Sequence, residues 1–255
     1  MKIIADNLNA LNPVVARAMD KGDPGPIQEL ALKCLKAGAD LIDINPGYLP
    51  KGREGRMAFM VEAVQEVTDR GLVLDSPSPG ILAKGLAACR GKAIINALTL
   101  ESVKIKEILP LAVEYNSPLI LLLLDDRSRP PNTLEEKIAL AMELRGRAVE
   151  AGVPEERLIF DPLMPHLSWP DASAHIQADL SFIRLASSGV LFNREAETVV
   201  GLSNLHSGYK QEESFQMERT CLALLAGAGL GNVLINMFRP ELIGELKRVR
   251  QVTRG

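Results

Sequence analysis

The chain has 255 residues, 47 % of them hydrophobic and 24 % charged, with a formal net charge of −3. That is the make-up of a folded soluble protein, and without a basic block it argues against nucleic acid as the main partner. The three cysteines, Cys34, Cys89 and Cys221, form no C-x-x-C pair, which sets aside a structural zinc site or a disulfide framework.

In chain order the first apolar run is "KIIAD" (2–6), and the N-terminus turns polar directly behind it, unlike a signal peptide. Pro24, after Asp23, opens a helix, since proline at the first helical position loses no hydrogen bond. The runs "ADLIDIN" (39–45), "GLVLDS" (71–76), "KAIINA" (92–97) and "PLILLLLDD" (118–126) follow. The last of these holds the longest strictly apolar stretch, Leu119 to Leu124, far short of a bilayer span. The expectation is a cytoplasmic chain with no membrane segment.

The stretch "NTLEEKIALAMELRGRAVEAG" reads as a helix: Thr133 and Glu136 make a capping box, and Leu134, Ile138, Ala141 and Ala148 keep near-helical spacing. Gly152 takes the C′ position with Pro154 behind it. "RLIFDP" (157–162) and "TVVGLSN" (198–204) are the next two apolar runs. The helix "FQMERTCLALLAGAG" then leads into the last run, "NVLINM" (232–237), and Pro240 opens a final helix.

All eight runs are strand-length, rich in Ile, Val and Leu, and show no clean period of two, as strands buried on both faces do. Eight strand–helix units in about 250 residues predict an α/β fold, a (β/α)8 TIM barrel forming a single domain over 1–255. A doubly wound sheet is the alternative, but no glycine-rich phosphate turn follows a strand.

In such a barrel the C-terminal strand ends converge on one mouth. Here they carry Asp6 and Asn7, Asp43 and Asn45, Asp75, Asn96, Asp125 and Asp126, Asp161, Asn204 and Asn236. Asp and Asn also start loops, because their side chains bond the turning backbone. A mouth of carboxylates and amides, short of cations, does not suit phosphate. The three histidines show no metal-ligand spacing, so no metal is expected. The set matches a neutral heterocycle with several N–H donors and a carbonyl; a pterin ring has such an edge, as do purines and other lactams.

Taken together and in order, "LIDIN", "LDSPS", "INALT", "FDPL" and "GLSN" resemble the pterin-binding methyltransferase family. That family includes methyltetrahydrofolate:corrinoid protein methyltransferases and the folate domain of cobalamin-dependent methionine synthase. The likeness runs from Met1 to about Gly231. It implies a transferase that moves a methyl group between N5 of tetrahydrofolate and the cobalt of a corrinoid (cobalamin) carried by a partner protein. It also implies a homodimer. Asp75, Asn96 and Asp161 would hold the pterin edge, with Asp43 and Asn45 in a second rank. Asn204 would face N5 as the catalytic amide, with Gly201 and Ser203 beside it in the substrate-binding set.

The chain departs from that family at its start, where "ADNLN" stands in place of Gly-Glu-Arg-Ile/Leu-Asn. After Asn204 it reads "LHSGYKQEES", with His206 in place of a small polar residue and Lys210 where an arginine is missing. These positions lie toward the corrinoid side. A dihydropteroate synthase shares barrel and pterin pocket, but its late-strand serine is followed by Arg-Lys, whereas Ser203 is followed by Asn204 and Leu205. A folate-binding or corrinoid-partner module without turnover is the other alternative.

Overall fold

The computed structural model describes residues 1–206 and 212–253. The strands β1 (Lys2–Asn9), β2 (Leu41–Asn45), β3 (Leu72–Asp75), β4 (Ile94–Leu98), β5 (Leu119–Leu122), β6 (Leu158–Asp161), β7 (Glu197–Gly201) and β8 (Asn232–Ile235) are all parallel. They close into a barrel in sequence order, β1 pairing with both β2 and β8. Helices α1 (Pro13–Lys21) and α2 (Gly25–Ala37) both lie between β1 and β2. Then come α3 (Gly55–Gln65), α4 (Pro79–Ala88), α5 (Ser102–Glu114), α6 (Leu134–Glu150), α7 (Ala172–Ser187), α8 (Glu212–Gly227) and α9 (Pro240–Thr253), one after each later strand. The fold is the (β/α)8 barrel that the alternation predicts.

The local signals act as expected. Thr133 and Glu136 close a reciprocal capping box on α6, and Gly152 follows that helix at φ 99°, in the left-handed region glycine enters without strain. Pro24 sits at the N-cap of α2 and Pro240 begins α9. No described helix is long and apolar enough to cross a membrane.

The missing period of two has a physical cause: both faces of each strand are apolar, but they belong to different clusters. Ile4, Val73, Ala97, Ile120, Ile159, Val199 and Leu234 pack on one another inside the barrel, with Leu41, Ile94 and Leu122 against them. Their neighbours, such as Ile3, Ala5, Ile42, Leu74, Leu121, Phe160 and Val200, join the cluster that includes the helices. Successive side chains alternate across a strand, so the next inward position is two residues on. That step runs from Ile4 to Asp6, Leu41 to Asp43, Val73 to Asp75, Ile94 to Asn96, Ile159 to Asp161, Val199 to Gly201 and Leu234 to Asn236. An apolar plug therefore carries a polar layer directly above it, at the end of the barrel where active sites of this fold are built.

Candidate active site

Several strand ends differ from the sequence reading, β4 among them, which runs two residues past Asn96 to Leu98. β1 continues past Asp6 to Asn9, with its register against β2 shifting between Ala5 and Leu8. β7 stops at Gly201, so Ser203 and Asn204 ride on a short 3-10 turn, Leu202–His206, anchored by the buried Leu202 and Leu205. β5 stops at Leu122, and Asp125 accepts the backbone N–H groups of Arg127 and Arg129, both at 2.8 Å, while pairing with the Arg129 side chain. Asp125 thus acts as a loop-starter, its carboxyl engaged within its own loop.

Asp43, Asp75, Asn96 and Asp161 come together in the polar layer. Asn45 donates to Asp75 across 2.8 Å and accepts from Gly47 N–H at 2.8 Å, so both ends of its amide are engaged by protein. Asn96 donates to Asp43, whose Oδ1 is buried without a partner among the described residues. Asp161 accepts from Leu163 N–H at 2.9 Å, tying down a turn in which Leu163 has φ 66°, a region that L side chains seldom enter.

Asn204 is exposed at the mouth, and its amide has no protein partner among the described residues. Its side chain lies over Gly201: a Cβ built there would stand 3.2 Å from the Asn204 nitrogen.

The carboxyls hold their protons unusually well. Burial pushes Asp161 up to about 7, against the backbone hydrogen bond from Leu163 and the charge of Lys137. Burial likewise raises Asp75 to about 6, with the Asn45 hydrogen bond opposing. Asp43 is driven well above the carboxylate range by burial and then by Asp75 and Asp6. Desolvation penalises the charged form, and too few protein donors face these oxygens to offset it. A ligand edge carrying N–H donors would supply what is missing.

A second cluster borders the site. Asp6 accepts the Ser203 hydroxyl at 2.7 Å, and burial raises its pKa to about 6. Beyond it lies Glu218 of α8, fully buried and paired with Arg239 and with His206 Nε2 at 3.1 Å. The Arg239 guanidinium lies 2.8 Å from His206 Nε2 and rests 3.9 Å above the Phe215 ring centroid, while His206 meets the same ring edge-on. Sequence reading missed Glu218, inside α8, and Arg239, in the loop just before α9; they lie 12 and 33 positions from His206 and carry no local signal. Lys210 lies outside the described residues.

Among the described residues no group of three or more His, Cys, Asp or Glu is placed to hold a metal ion. A groove of about 910 Å3 runs along α6, but its charged lining, including Asp125 with Arg129 and Glu143 with Arg147, is ion-paired locally and holds none of the buried carboxyls.

Residues 8–233 match the family described as pterin binding enzyme. The chain is 27 % identical over 248 residues to a methylcorrinoid:tetrahydrofolate methyltransferase of Eubacterium limosum, covering 96 % of this chain and 89 % of that one. It is 24 % identical to a dihydropteroate synthase of Clostridium beijerinckii over 65 % of this chain and 64 % of the other. Among solved structures it resembles the dihydropteroate synthase of Xanthomonas albilineans in complex with 7,8-dihydropteroate, with a TM-score of 0.71. That match covers 100 % of this chain and 94 % of the other at 17 % identity, a likeness of fold.

Proposed function

The chain belongs to the pterin-binding enzyme family, and from that premise we propose that it transfers a methyl group between N5 of tetrahydrofolate and the cobalt of a corrinoid protein. One observation carries the reading: Asp43, Asp75, Asn96 and Asp161 form a buried acceptor-rich layer in which Asp43 Oδ1 has no partner among the described residues, and the exposed Asn204 amide likewise has none among them. The resemblance to a methylcorrinoid:tetrahydrofolate methyltransferase over 96 % of the chain supports the same choice.

The residues fit a pterin. Asp75 and Asp161 are acceptors held in place by Asn45 and Leu163, and the amino and ring N–H groups of a pterin edge are donors. Asn96 can read the adjoining carbonyl. Binding then replaces lost hydration of the carboxylates by fixed donors, which draws their pKa values back down.

Asn204 is the catalytic amide in this proposal. When the methyl group leaves N5, negative charge builds on a poor leaving group, and an amide N–H that shortens toward N5 stabilises that state more than the ground state. In the opposite direction N5 attacks methyl-cobalt, and the amide oxygen can orient the N5–H. The Co–C electron pair stays on cobalt, the N5 lone pair forms the new N–C bond, and one proton is released. Asp43 and Asn45 hold the second rank, while Gly201 leaves room for the amide and Ser203 steadies its turn.

The homodimer, the corrinoid protein partner and the cytoplasmic setting belong to this proposal. The test mixes the protein with methylcobalamin and tetrahydrofolate, and in a separate arm with methyltetrahydrofolate and reduced cobalamin, following the corrinoid spectrum. Conversion in either arm is expected. Tight folate binding with no spectral change would instead indicate a non-catalytic module. Condensation of a pterin diphosphate with p-aminobenzoate would indicate a dihydropteroate synthase.

A further inference from the structure

The proposed reaction leaves one proton unassigned: tetrahydrofolate that accepts a methyl group on N5 must lose the hydrogen it carried there. The Asn204 amide cannot hold it, because amides do not titrate in water. The carboxyls of the pterin layer already have tasks: Asp75 is engaged by Asn45, Asp161 by the Leu163 N–H, and Asp43 by Asn96. Asp6 stands apart. It projects from β1 into the same layer, and its carboxyl accepts a hydrogen bond from Ser203, the residue directly before Asn204 on the same five-residue turn.

We propose that Asp6, acting through the Ser203 hydroxyl, takes up the proton that N5 of tetrahydrofolate releases on accepting the methyl group, and returns it in the reverse transfer. The inference rests on the methyl-transfer reading above. In the step, the N5–CH3 bond forms and the CH3–Co bond breaks with its electron pair remaining on cobalt. The N5 proton passes to Ser203 Oγ as the hydroxyl proton passes to Asp6 Oδ2.

The surroundings of Asp6 suit the task. Burial raises its affinity for a proton to near neutrality, where a group can both accept and return one. Glu218 from α8 adds a negative charge that raises it further, while the Ser203 hydrogen bond and His206 oppose. Asp43 faces it from β2 and Cys34 from α2. From β8 the neutral Asn236 bonds Asn7, and α1 presents only Val15, Ala18 and Met19 as buried residues. His206 has its Nε2 turned to Arg239 and Glu218, at 2.8 and 3.1 Å.

The experiment is single-turnover transfer from methylcobalamin to tetrahydrofolate across pH 5 to 8.5, with folate affinity measured in parallel by fluorescence. Wild-type protein should show a rate that climbs with pH and levels off above about 6. Asp6→Asn should lose that inflection and slow about 100-fold, the size of a lost general base, with folate affinity changed less than about threefold. Ser203→Ala serves as second variant should Asp6→Asn not fold, and should slow transfer about tenfold. His206→Gln should keep the inflection.

An inflection retained in Asp6→Asn, or abolished by His206→Gln, overturns the proposal while leaving the methyl-transfer reading standing. Wild-type protein that binds folate but transfers nothing in either direction removes both.

Discussion

The Asn204 amide lies so close over Gly201 that a methyl group added at Gly201 would stand 3.2 Å from its nitrogen and 3.5 Å from its carbonyl carbon. Gly201 has no left-handed backbone that alanine would strain, and the exposed Asn204 side chain can swing away. Gly201→Ala should therefore fold with a melting temperature close to wild type while displacing the amide. Methyl transfer should fall about tenfold or more, and folate affinity by much less, as when a contact made mainly in the transition state is removed. Asn204→Ala should show the same split more strongly, about 100-fold, comparable to losing an oxyanion-hole donor. Equal loss of rate and affinity in both variants would refute the catalytic role of the amide.

Asn45 acts on the ligand through Asp75. Its amide nitrogen donates to Asp75 at 2.8 Å and holds down a carboxyl that burial otherwise pushes up. Asn45→Ala should raise the Asp75 pKa further. A pterin edge of N–H donors binds the ionised form, so for a one-unit rise from about 6 folate affinity should weaken about fivefold at pH 6 and only about twofold at pH 7. It should recover as pH rises. Titration calorimetry across pH 6 to 9 reads this directly, and a pH-independent loss would point to collapse of the mouth.

The mouth should cost the free protein stability at neutral pH. The folded-state pKa of Asp161 is raised from 3.8 to about 7, and those of Asp6 and Asp75 to about 6. Between 3.8 and these values the folded state holds more protons than the unfolded chain, so stability is greatest below that window and falls as pH rises through it. Urea midpoints of ligand-free protein should drop from pH 5 to pH 8. Asp161→Asn should flatten that slope and raise the midpoint at pH 8, while weakening folate binding severely. A wild-type midpoint that rises with pH across the window would contradict this assignment of strain.

The barrel was legible because its signals are local: apolar runs, a capping box at Thr133, a proline before the last helix. The polar layer was half legible. Asp43, Asp75, Asn96 and Asp161 stand at run ends, and the inward phase that unites them follows from the step of two beyond Leu41, Val73, Ile94 and Ile159. Asp125 occupied an equivalent place in the sequence but turned its carboxyl to the backbone of its own loop, a choice decided by where β5 ends. Glu218 and Arg239 were beyond reach, since neither has a motif and their meeting with His206 exists only after the barrel closes. The departures at Asp6 and His206 read separately as oddities of two segments. In space they share one neighbourhood, with Ser203 and Glu218 between them.

A last pair bears on the floor of the site. Lys137 of α6 and Asp179 of α7 are both fully buried, 2.8 Å apart, and the Lys137 ammonium also donates to Pro162 O at 2.8 Å, directly behind Asp161. Burial raises Asp179 to about 8 even with Lys137 opposing, so this carboxyl can become neutral at little cost when its partner is lost. Loss of Asp179 instead leaves the buried Lys137 amine with the Pro162 carbonyl as its remaining partner among the described residues. Asp179→Leu should therefore cost about 3–5 kcal/mol, the penalty for stranding a buried charge. Lys137→Met should cost less, about 1–3 kcal/mol, chiefly from the unsatisfied Pro162 carbonyl. The double variant should recover part of the Asp179→Leu loss, because the stranded charge is gone. Both variants lacking Lys137 should bind folate more weakly, since the segment that aims Asp161 has lost its tether. Urea unfolding of the three variants with parallel folate titrations checks each point. Asp179→Leu no more damaging than Lys137→Met would mean that the pair is neutral as folded and that Lys137 serves only the carbonyl.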